Sequence, residues 1–402
     1  MEVRVSSRET IRPDSNEAHL QKPFNISFLD QLIPPVYVPG ILFFNGSTAD
    51  TTQISSLLKK SLSKTLNQFY PLSGRTIHNL CIDYYEEGVP FIEARVNGCL
   101  SDYLEAVELE RLNQLLPLEP FRHLSGLHPL LAVQFNVFDC GGIALALCCS
   151  HKMVDSSTVS AFLKSWSAFA RGTNGEIPRL HLLEASSRFF PTRDWISPDT
   201  LSSLKRVWFK EGKYKTRSFV FDANAVKTLM FKAKTKNLEH PSRAETLTAF
   251  IWKHAMLASR STSGIVKPSV IIQAVNMRRK MKQPLPDYSI GNLFWFATTT
   301  YNNSADKDTE LHELAYIATQ SVENFDTEGL QGDEGFKVIS EQIKQLSEVS
   351  SNENVDLYGF SSWLNSAMHQ VDFGWGMPSW LGIPGLVAPA LNNFTFRKRG
   401  RK

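Results

Sequence analysis

Apolar and polar positions follow one another along the chain with both helical and strand-like spacing. Residues 51–69 place apolar side chains on one helical face, and Asp50 or Thr51 can cap the helix. Residues 130–149 instead hold two almost continuous apolar runs on either side of residues 139–142, a pattern that predicts a β-hairpin. The stripe of the first segment consists of Ile54, Leu57, Leu58, Leu62, Leu66 and Phe69.

A sharp corner between a strand and a helix is predicted directly after this hairpin, at residues 151–155. Asp155 can cap the following helix, because its carboxylate can accept hydrogen bonds from the free N–H groups of the first turn. Later in the chain, residues 216–221 (TRSFVF) predict a strand. Ser242 and Glu245 have the spacing of a capping box, which predicts another helix start.

The chain divides into two parts around a stretch without clear periodicity. From Gly172 to about Lys215, glycines and prolines interrupt the pattern, and a stretch of this length favours a crossover between domains. A chain of 402 residues is long enough for two or three domains of about 150 residues each. We therefore expect an α/β fold with an N-terminal domain over residues 1–190, a crossover over residues 191–215 and a C-terminal domain over residues 216–402.

Composition and charge exclude several classes of protein. Lys and Arg number 43 against 40 Asp and Glu, and a net charge of +3 does not provide the basic surface that nucleic-acid binding requires. Hydrophobic residues make up 42% of the chain, which excludes a disordered protein. Without a long apolar run, no membrane span is expected, and the charged N-terminal segment does not resemble a secretion signal. The five cysteines lack metal-binding or disulfide spacing, so we expect a reduced, cytoplasmic protein without a bound metal.

His151 is the histidine that is followed by an aspartate, Asp155, four residues later. A histidine at the end of a buried strand, where the chain turns into a helix, can project into a cleft and accept a proton. The same spacing also fits an ordinary hydrogen-bonded core histidine beside a helix-capping aspartate, and spacing alone leaves both readings open. Cys149 lies two residues earlier on the strand, so a thiolate nucleophile is a further alternative, although core packing explains the same alternation.

A second group of candidate functional residues lies at residues 372–376, which read DFGWG. Two glycines on either side of a tryptophan allow a tight backbone turn or the close approach of a ligand. Asp372 can organise that turn through hydrogen bonds to nearby backbone N–H groups. By itself, this segment is more readily explained as a loop with a structural aspartate than as a catalytic one.

Together the two segments are much more specific. HKMVD at 151–155 and DFGWG at 372–376 resemble the two motifs of the plant BAHD acyl-CoA-dependent acyltransferases, in their usual order and at roughly their usual separation. The resemblance extends from about residue 20 to residue 376, and two of its segments look most like the clade of O-acetyltransferases that act on alkaloid and terpenoid alcohols. These two segments are SFLDQLIPPVYVP (27–39), which is similar to the opening strand of the family, and PLPDYSIGN (284–292). The other matching segments are YPLSGR (70–75), SRAETLTAFIWK (242–253), VNMRR (275–279) and SSW (361–363).

The resemblance implies two chloramphenicol-acetyltransferase-like domains with a channel at their interface. His151 would lie in mid-channel, where acyl-CoA arrives from one side and the alcohol from the other. The imidazole would deprotonate the alcohol, which then attacks the thioester while both substrates are bound. Acyl-CoA, most simply acetyl-CoA, would be a co-substrate rather than a permanently bound cofactor. The expected partners are this donor and a small-molecule alcohol, with no nucleic acid, no membrane and a monomeric enzyme.

Further site residues are carried over from the family by position. Ser361 and Trp363 match the oxyanion donors, and Asp372 is often placed with the active site, although we favour a loop-organising role for it. Asp155 would pair with Arg278 as a structural salt bridge, whereas analogy with a catalytic triad would make Asp155 the orienter of His151. The remaining positions are Ser242, Arg243 and Thr248 at the coenzyme site, and Gly374, Trp375 and Gly376 as structural residues of the loop.

Residues 377–402 depart from the family pattern. They form an apolar segment rich in proline and glycine that ends in the basic run RKRGRK. Such a run could be a nucleic-acid or nuclear-import patch, but we interpret these six residues as a solvated tail. We expect these residues to leave an incomplete second domain with an exposed sheet edge and marginal solubility, and either to pack irregularly against that domain or to stay mobile. This departure also motivates an alternative function, a non-catalytic relative that binds ligands or partner enzymes.

Overall fold

The computed structural model describes residues 2–14, 22–46, 50–105, 108–120, 127–173, 185–209, 215–302, 309–364, 366–384 and 392–396. Within these ranges the strands are β1 (Val3–Ile11), β2 (Phe24–Asn25), β3 (Tyr37–Phe44), β4 (Arg75–Ile77), β5 (Cys81–Asp83), β6 (Val89–Val96), β7 (Leu131–Phe138), β8 (Ile143–Ser150), β9 (Ser269–Asn276), β10 (Phe294–Tyr301), β11 (Asp356–Ser362), β12 (Trp380–Gly382) and β13 (Asn392–Phe396). The helices are α1 (Phe28–Gln31), α2 (Thr51–Gln68), α3 (Leu100–Glu105), α4 (Ser156–Ala170), α5 (Ala185–Phe189), α6 (Pro198–Trp208), α7 (Ala223–Ala233), α8 (Arg243–Ser263), α9 (Leu311–Glu323) and α10 (Gly332–Ser350).

The first large sheet has the strand order β1-β6-β7-β8-β3-β12, and a small separate sheet has the order β2-β5-β4. β7 and β8 pair antiparallel with Leu131 opposite Cys149, so the predicted hairpin is confirmed. Its turn contains Gly141, whose φ of 81° lies in the left-handed region that favours glycine. Both strands of the hairpin are buried along their whole length, because apolar clusters cover both faces of the sheet.

Helix α2 confirms the helix predicted over residues 51–69. The Asp50 carboxylate caps it by accepting a hydrogen bond from Thr52 N at 2.9 Å. Leu58 is fully buried, as are most members of the predicted stripe, whereas Leu57 is 36% exposed. The buried face follows the four-residue steps through Leu58, and Leu57 lies one position off that line.

Two further predicted helix starts are confirmed. Asp155 caps α4, and its carboxylate accepts a hydrogen bond from Thr158 N at 2.9 Å. Ser242 and Glu245 form the predicted capping box of α8, in which each side chain accepts from the backbone N–H of the other residue. These contacts satisfy N–H groups that have no partner inside the helix, and so they fix where each helix begins.

The second large sheet has the order β10-β9-β11-β13. β10 runs antiparallel to β9, and β11 runs parallel to both β9 and β13. Helices cover both faces: Trp252 of α8 packs with Ile271 on one, and Val207 of α6 and Leu346 of α10 pack with Val270 on the other. The predicted α/β class is therefore confirmed. Within the described ranges, no helix is both long and apolar enough to cross a membrane.

The C-terminal segment contributes one strand to each large sheet. β12 pairs antiparallel with β3 of the first sheet, with Leu381 opposite Leu42. β13 pairs parallel with β11 of the second sheet, with Phe394 opposite Phe360. The division into residues 1–190 and 216–402 stays a prediction, but the first sheet includes a strand from the C-terminal part.

The expectation of irregular packing at the end of the chain is wrong for residues 392–396. This segment contains no proline, so its N–H groups can complete a regular ladder beside β11, and β13 is the last described strand of this sheet. The proline-containing residues 385–391 and the basic end at 397–402 lie outside the described residues.

The strand predicted at residues 216–221 is also wrong. The segment has no regular secondary structure, and Phe219 and Val220 are 76% and 65% exposed. A strand pattern predicts a side-chain environment rather than a partner, and without a neighbouring strand these residues cannot form a ladder.

The structure corrects two other expectations from the sequence. The opening strand expected at 27–39 begins only at Tyr37, because Ser27 and Asp30 form a capping box that starts α1 instead. The crossover at 191–215 contains the regular helix α6. Its start has a recognisable signature, since Ser197 caps it and a proline occupies the first helical position.

Candidate active site at the end of β8

His151 lies at the corner between β8 and α4, directly after the buried strand. Its backbone N–H donates to the carbonyl of Val36 at 2.8 Å, which fixes the corner to the loop before β3. Two aromatic rings flank the imidazole, with centroid distances of 5.9 Å to Trp208 and 5.8 Å to Phe294. The side chain is only partly buried, so packing holds the ring in place while part of it stays accessible.

A single amide fixes the tautomer of His151. Nδ1 of the imidazole lies 3.0 Å from Oδ1 of Asn292. Nδ2 of Asn292 donates to Asp30 Oδ1 at 2.8 Å and to the carbonyl of His151 at 2.6 Å, so the amide oxygen must face the imidazole. Because an amide oxygen only accepts hydrogen bonds, Nδ1 carries the proton. Nε2 therefore keeps its lone pair, which is the state that a general base needs.

A buried carboxylate supports Asn292 from behind. Asp30 is fully buried on α1 and accepts hydrogen bonds from the backbone and side chain of Asn292 and from the backbone and side chain of Ser27. Burial raises the pKa of Asp30, and these donors oppose the increase because they stabilise the charged form. The base is thus linked through one amide to a buried acidic group.

Lys152 ties the same region together from the opposite side. Its buried ammonium group donates to the carbonyls of Asp30 at 3.2 Å and Gln31 at 2.8 Å, and to Asn79 Oδ1 at 2.7 Å. Burial lowers the pKa of Lys152 to about 7, and the nearby charge of Asp30 opposes that decrease. These contacts hold α1 against the loop around Asn79 and so keep the Asp30 carboxylate behind Asn292.

Burial also determines the charge of His151. Removal of the imidazole from water lowers its pKa below the usual 6.5, while hydrogen bonds and the negative charge of Asp155 oppose that decrease. At neutral pH the ring is therefore uncharged and can accept a proton at Nε2.

Asp155 forms an ion pair with Arg278, and among the described contacts it has no hydrogen bond to His151. Two guanidinium nitrogens donate to the Asp155 carboxylate at 2.6 and 3.1 Å, and Arg278 is fully buried. Arg278 also donates to the carbonyls of Ser289 and Gly291 at 2.8 and 3.1 Å. The pair therefore joins the start of α4 to the loop between β9 and β10, the loop that also supplies Asn292.

Asp372 organises the DFGWG loop through its own backbone. Oδ1 accepts hydrogen bonds from Gly374 N at 2.8 Å and Gly376 N at 2.9 Å. Both glycines have positive φ angles, 110° and 104°, which side chains with a Cβ rarely adopt. The guanidinium of Arg171 donates to the Asp372 carbonyl and fastens the loop to the end of α4. The geometry of Asp372 is that of a loop organiser.

The aromatic residues of this loop anchor it in the core of the first sheet. Phe373 is fully buried and packs edge-on against Trp166 of α4, with ring centroids 5.2 Å apart. Trp375 stacks on Phe373 at 5.5 Å and contacts Phe44 of β3 at 6.0 Å. The loop thereby fastens the C-terminal part of the chain to the first sheet.

The two residues matched to oxyanion donors lie at the end of β11. Ser361 Oγ forms a hydrogen bond with Thr395 Oγ1 of β13 at 3.0 Å. The backbone N–H of Trp363 donates to the carbonyl of Phe396 at 2.7 Å, and its ring packs against the core of the first sheet. Among the described contacts, neither residue forms a hydrogen bond with His151.

The three residues matched to the coenzyme site lie on the first turns of α8. Ser242 and Arg243 are exposed at its N-terminus, where backbone N–H groups favour anions. Thr248 is only 2% exposed and faces the interior, so its side chain is not available to a ligand in this conformation.

The alternative of a Cys149 nucleophile is wrong. The side chain is 3% exposed and belongs to the apolar cluster beneath α2 and α4. Burial raises the pKa of the Cys149 thiol far above its usual value, so no thiolate forms near neutral pH.

The sequence did not reveal the residues that surround His151. Asn292 and Asp30 stand inside PLPDYSIGN and SFLDQLIPPVYVP, and an aspartate within an otherwise apolar stretch was an available signal. Trp208 lies in the crossover, where no function was expected. Lys152 lies inside the HKMVD motif, but no spacing or pattern in the sequence indicated that it supports the site.

Comparisons with known proteins agree with this architecture. The chain matches the Transferase family over residues 1–386. Akuammiline synthase 2 of Alstonia scholaris is 34% identical over 96% of this chain and 86% of its own length. Limonoid 7-O-acetyltransferase of Citrus sinensis is 32% identical over 96% of this chain and 88% of its own length. Vinorine synthase of Rauvolfia serpentina is 34% identical over 92% of this chain and 86% of its own length.

Solved structures show the same two-domain fold. The crystal structure of vinorine synthase aligns with a TM-score of 0.79 at 30% identity and covers 98% of this chain and 91% of that one. TRI101 of F. graminearum, complexed with coenzyme A and deoxynivalenol, aligns with a TM-score of 0.68 at 15% identity over 93% and 91%. Since the family match covers nearly the whole chain, this protein belongs to the transferase family of the BAHD acyltransferases and is an acyl-transferring enzyme.

Proposed function

We propose that this enzyme transfers an acetyl group from acetyl-CoA to a hydroxyl group of an alkaloid or terpenoid alcohol, with His151 as general base. The observation that carries the proposal is the hydrogen bond between His151 Nδ1 and Asn292 Oδ1, which leaves Nε2 unprotonated on a partly exposed ring. The printed names of several relatives, among them salutaridinol and limonoid O-acetyltransferases, support the acyl group and the class of acceptor.

The reaction needs two proton transfers at one nitrogen. Nε2 of His151 takes the proton of the acceptor hydroxyl while its oxygen attacks the thioester carbonyl, and a tetrahedral intermediate forms. When the intermediate collapses, the C–S bond breaks and the protonated Nε2 returns the proton to the coenzyme A sulfur. General-base assistance of this kind contributes about 10²–10⁴ in rate. Both substrates must be bound together, so their mutual orientation contributes the rest.

The groups behind His151 fit this role. As the imidazole gains its second proton, the Asn292 oxygen receives a stronger hydrogen bond from Nδ1, and the Asp30 carboxylate fixes the amide through Nδ2. Asp155 contributes its charge from a distance while it pairs with Arg278, and we propose a structural role for that pair. Asp372 holds the DFGWG loop and takes no part in proton transfer.

For the oxyanion we propose Ser361 and Trp363 as donors. The backbone N–H of Trp363 is already engaged with Phe396, so the indole N–H is the donor that this residue would supply. Ser361 would have to exchange its contact with Thr395 for one with the oxyanion. For the coenzyme we propose Ser242 and Arg243 at the N-terminus of α8, where a cation and backbone N–H groups suit its phosphates.

The surroundings of Nε2 favour an apolar acceptor. Phe294 and Phe296 project from the same face of β10, and their centroids lie 5.6 Å apart. Trp208 completes this aromatic wall, with centroid distances of 6.3 Å to Phe296 and 5.9 Å to His151. Rings of this kind offer a large apolar surface on which the hydrocarbon skeleton of a polycyclic alcohol can pack.

The decisive experiment is a screen of the purified protein with acetyl-CoA against panels of alkaloid and terpenoid alcohols. Release of free coenzyme A and a product heavier by one acetyl group would support the proposal. His151→Ala should abolish turnover. The matched control is His254→Gln, because His254 is an exposed histidine of α8 and should not affect it.

The alternative of a non-catalytic relative is tested by the same preparation. Coenzyme A binding in calorimetry without turnover on any acceptor or donor would support that alternative and count against the proposed reaction. We further propose that the enzyme works as a cytoplasmic monomer, which size-exclusion chromatography with light scattering and localisation of a tagged chain would test.

A further inference from the structure

The five cysteines of the chain fall into two groups in the structure. Cys148 and Cys149 are buried and Cys81 is half-buried. Burial raises the pKa of each of these three thiols, which keeps them unreactive. Cys99 and Cys140 are exposed, although they are separated by 41 positions in the sequence.

The fold brings these two exposed cysteines to one place, where the β7–β8 turn packs on the loop between β6 and α3. Leu100 N, in the peptide bond that follows Cys99, donates to Cys140 Sγ at 3.2 Å. Gly98 N donates to the Asp139 carboxylate at 2.8 Å. The contact is close, since a Cβ added at Gly142 would lie 2.6 Å from Leu100 Cβ. Each thiol also influences the pKa of the other, as expected for neighbouring groups.

The environments of the two thiols shift their pKa values in opposite directions, and this difference favours a reaction between them. For Cys140, partial burial opposes ionisation, but hydrogen bonds from the N–H groups of Leu100 and Gly142 outweigh it and lower the pKa. For Cys99, the neighbouring Cys140 thiol and the charges of Asp102 and Asp139 raise the pKa. A thiol of low pKa is the better attacking nucleophile, and a neighbouring thiol of higher pKa can resolve the product.

We propose that Cys99 and Cys140 form a redox-active thiol pair that a peroxide converts into an intramolecular disulfide, with Cys140 as the attacking sulfur. Cys140 loses its proton, and the thiolate attacks one oxygen of hydrogen peroxide. The O–O bond breaks, Cys140 sulfenic acid is formed, and the departing hydroxide takes up the released proton and becomes water. Cys99 then attacks this sulfur, the S–O bond breaks, the S–S bond forms and a second water leaves. The two sulfurs give up two electrons, and one peroxide becomes two waters.

The pair is separate from the acyl-transfer site and does not depend on the proposed function. It lies at the opposite end of β8 from His151, about 26 Å away for eight residues of strand. Because hydrogen bonds already join the two segments, the disulfide needs little backbone movement and would fasten the tip of the hairpin to the start of α3. Its effect would be on the stability of the first sheet and on the reactivity of the surface thiols.

The test uses the reduced full-length protein, brief exposure to hydrogen peroxide, alkylation of the remaining thiols, and peptide mapping by mass spectrometry. We expect a Cys99–Cys140 linked peptide and three alkylated cysteines, and dithiothreitol should reverse the link. The oxidised protein should melt a few degrees above the reduced one. Cys81→Ser serves as the matched control and should form the link as the wild type does.

Two variants assign the roles. Cys99→Ser should accumulate sulfenic acid at Cys140, which dimedone traps. Cys140→Ser should form no link, and Cys99 should react with peroxide about tenfold more slowly than Cys140 does. The proposal is overturned if peroxide links other cysteines, produces disulfide-linked dimers instead of the internal link, or places the sulfenic acid on Cys99.

Discussion

His151 Nδ1 lies 3.0 Å from the side-chain oxygen of Asn292, and this amide, rather than the aspartate of the same motif, orients the imidazole. Asp155 is engaged elsewhere, in a two-point ion pair with Arg278. An amide oxygen fixes the tautomer as a carboxylate would, but without bringing a full negative charge next to the ring. The ring therefore stays neutral in its partly buried position, which suits a base that accepts a proton and returns it within one turnover.

The first prediction concerns Asn292. Asn292→Ala removes the acceptor of Nδ1–H, so the tautomer with the lone pair on Nε2 is no longer favoured, and we expect kcat to decrease by about 10². The KM for acetyl-CoA should not change. The hydrogen bond that Nδ1 donates to Asn292 opposes the lowering of the His151 pKa by burial, so its loss should move the acid limb of the pH–rate profile to lower pH.

Asn237→Ala is the matched control for this experiment, because Asn237 is exposed on a turn. Circular dichroism and urea unfolding must first show that Asn292→Ala is folded, since the variant leaves Asp30 with fewer donors. A folded Asn292→Ala enzyme with the wild-type kcat and pH profile would contradict the positioning role.

The second prediction concerns the Asp155–Arg278 pair. Removal of either partner leaves a buried charge without compensation, so Asp155→Ala and Arg278→Ala should each decrease the free energy of unfolding by about 3–5 kcal/mol. Arg279→Ala is the matched control: its ion pair with Asp287 is exposed, so its loss should have little effect on the free energy of unfolding. Urea unfolding measures all three variants. An Asp155→Ala enzyme of native stability but without activity would instead favour a catalytic triad.

Local features of this fold could be predicted from the sequence because the interacting residues are close in the chain. The caps of α2, α4 and α8 join residues two or three positions apart, and the β7–β8 hairpin is closed by a short turn. The strand predicted at 216–221 is wrong because a strand also needs a neighbouring strand to pair with, which the local pattern does not reveal. The helix α6 was not predicted, although Ser197 and Pro198 carry a helix-start signature.

The candidate site was predictable only where motifs carried it. HKMVD and DFGWG located His151 and the loop of Asp372 through resemblance to a family. The support of His151 could not be read in this way, because Asn292 and Asp30 are 262 positions apart and meet only in the folded chain. A polar side chain within an apolar segment marks each of these positions, but the sequence does not indicate which residue it contacts.

The third prediction concerns the pH dependence of stability. In the folded state burial lowers the Lys152 pKa from 10.5 to about 7. Between these pH values the unfolded chain binds a proton that the folded chain does not, so stability should rise as pH rises through this window. The slope from one such group is up to about 1.4 kcal/mol per pH unit.

Lys152→Met should remove this slope, whereas Lys164→Met, at an exposed lysine of α4, should keep it. Urea unfolding of the three proteins between about pH 7 and pH 9 provides the comparison, and only the slope matters, because the methionine also removes three hydrogen bonds. Equal slopes in wild type and Lys152→Met would show that Lys152 is not the group responsible.

The fourth prediction concerns Trp208 and the acceptor. Trp208→Ala removes one side of the aromatic wall, so the KM for a polycyclic alcohol should rise by about 10–100-fold while the KM for acetyl-CoA changes little. Because the same ring also packs against His151, kcat should decrease as well, but by a smaller factor. Trp208→Phe should keep most of the affinity. Trp195→Ala is the matched control, because Trp195 belongs to the same crossover but is 71% exposed. Steady-state kinetics with the best acceptor from the screen measure the effect, and an unchanged acceptor KM in Trp208→Ala would place the acceptor elsewhere.

The last prediction separates the two roles considered for Asp372. Its Oδ1 holds the N–H groups of Gly374 and Gly376, and these contacts need an acceptor rather than a charge. Asp372→Asn keeps an acceptor oxygen and should behave almost as the wild type. Asp372→Ala removes it, and loss of the two hydrogen bonds should decrease the free energy of unfolding by about 1–3 kcal/mol. Phe373 and Trp375 anchor the loop against α4 and β3. Thermal unfolding and limited proteolysis of the loop should therefore both show that Asp372→Ala is less stable than Asp372→Asn and the wild type. The pH–rate profile should keep the acid limb of His151 in both variants. A catalytic carboxylate would give the opposite result, with both variants stable, both inactive, and Asn no better than Ala.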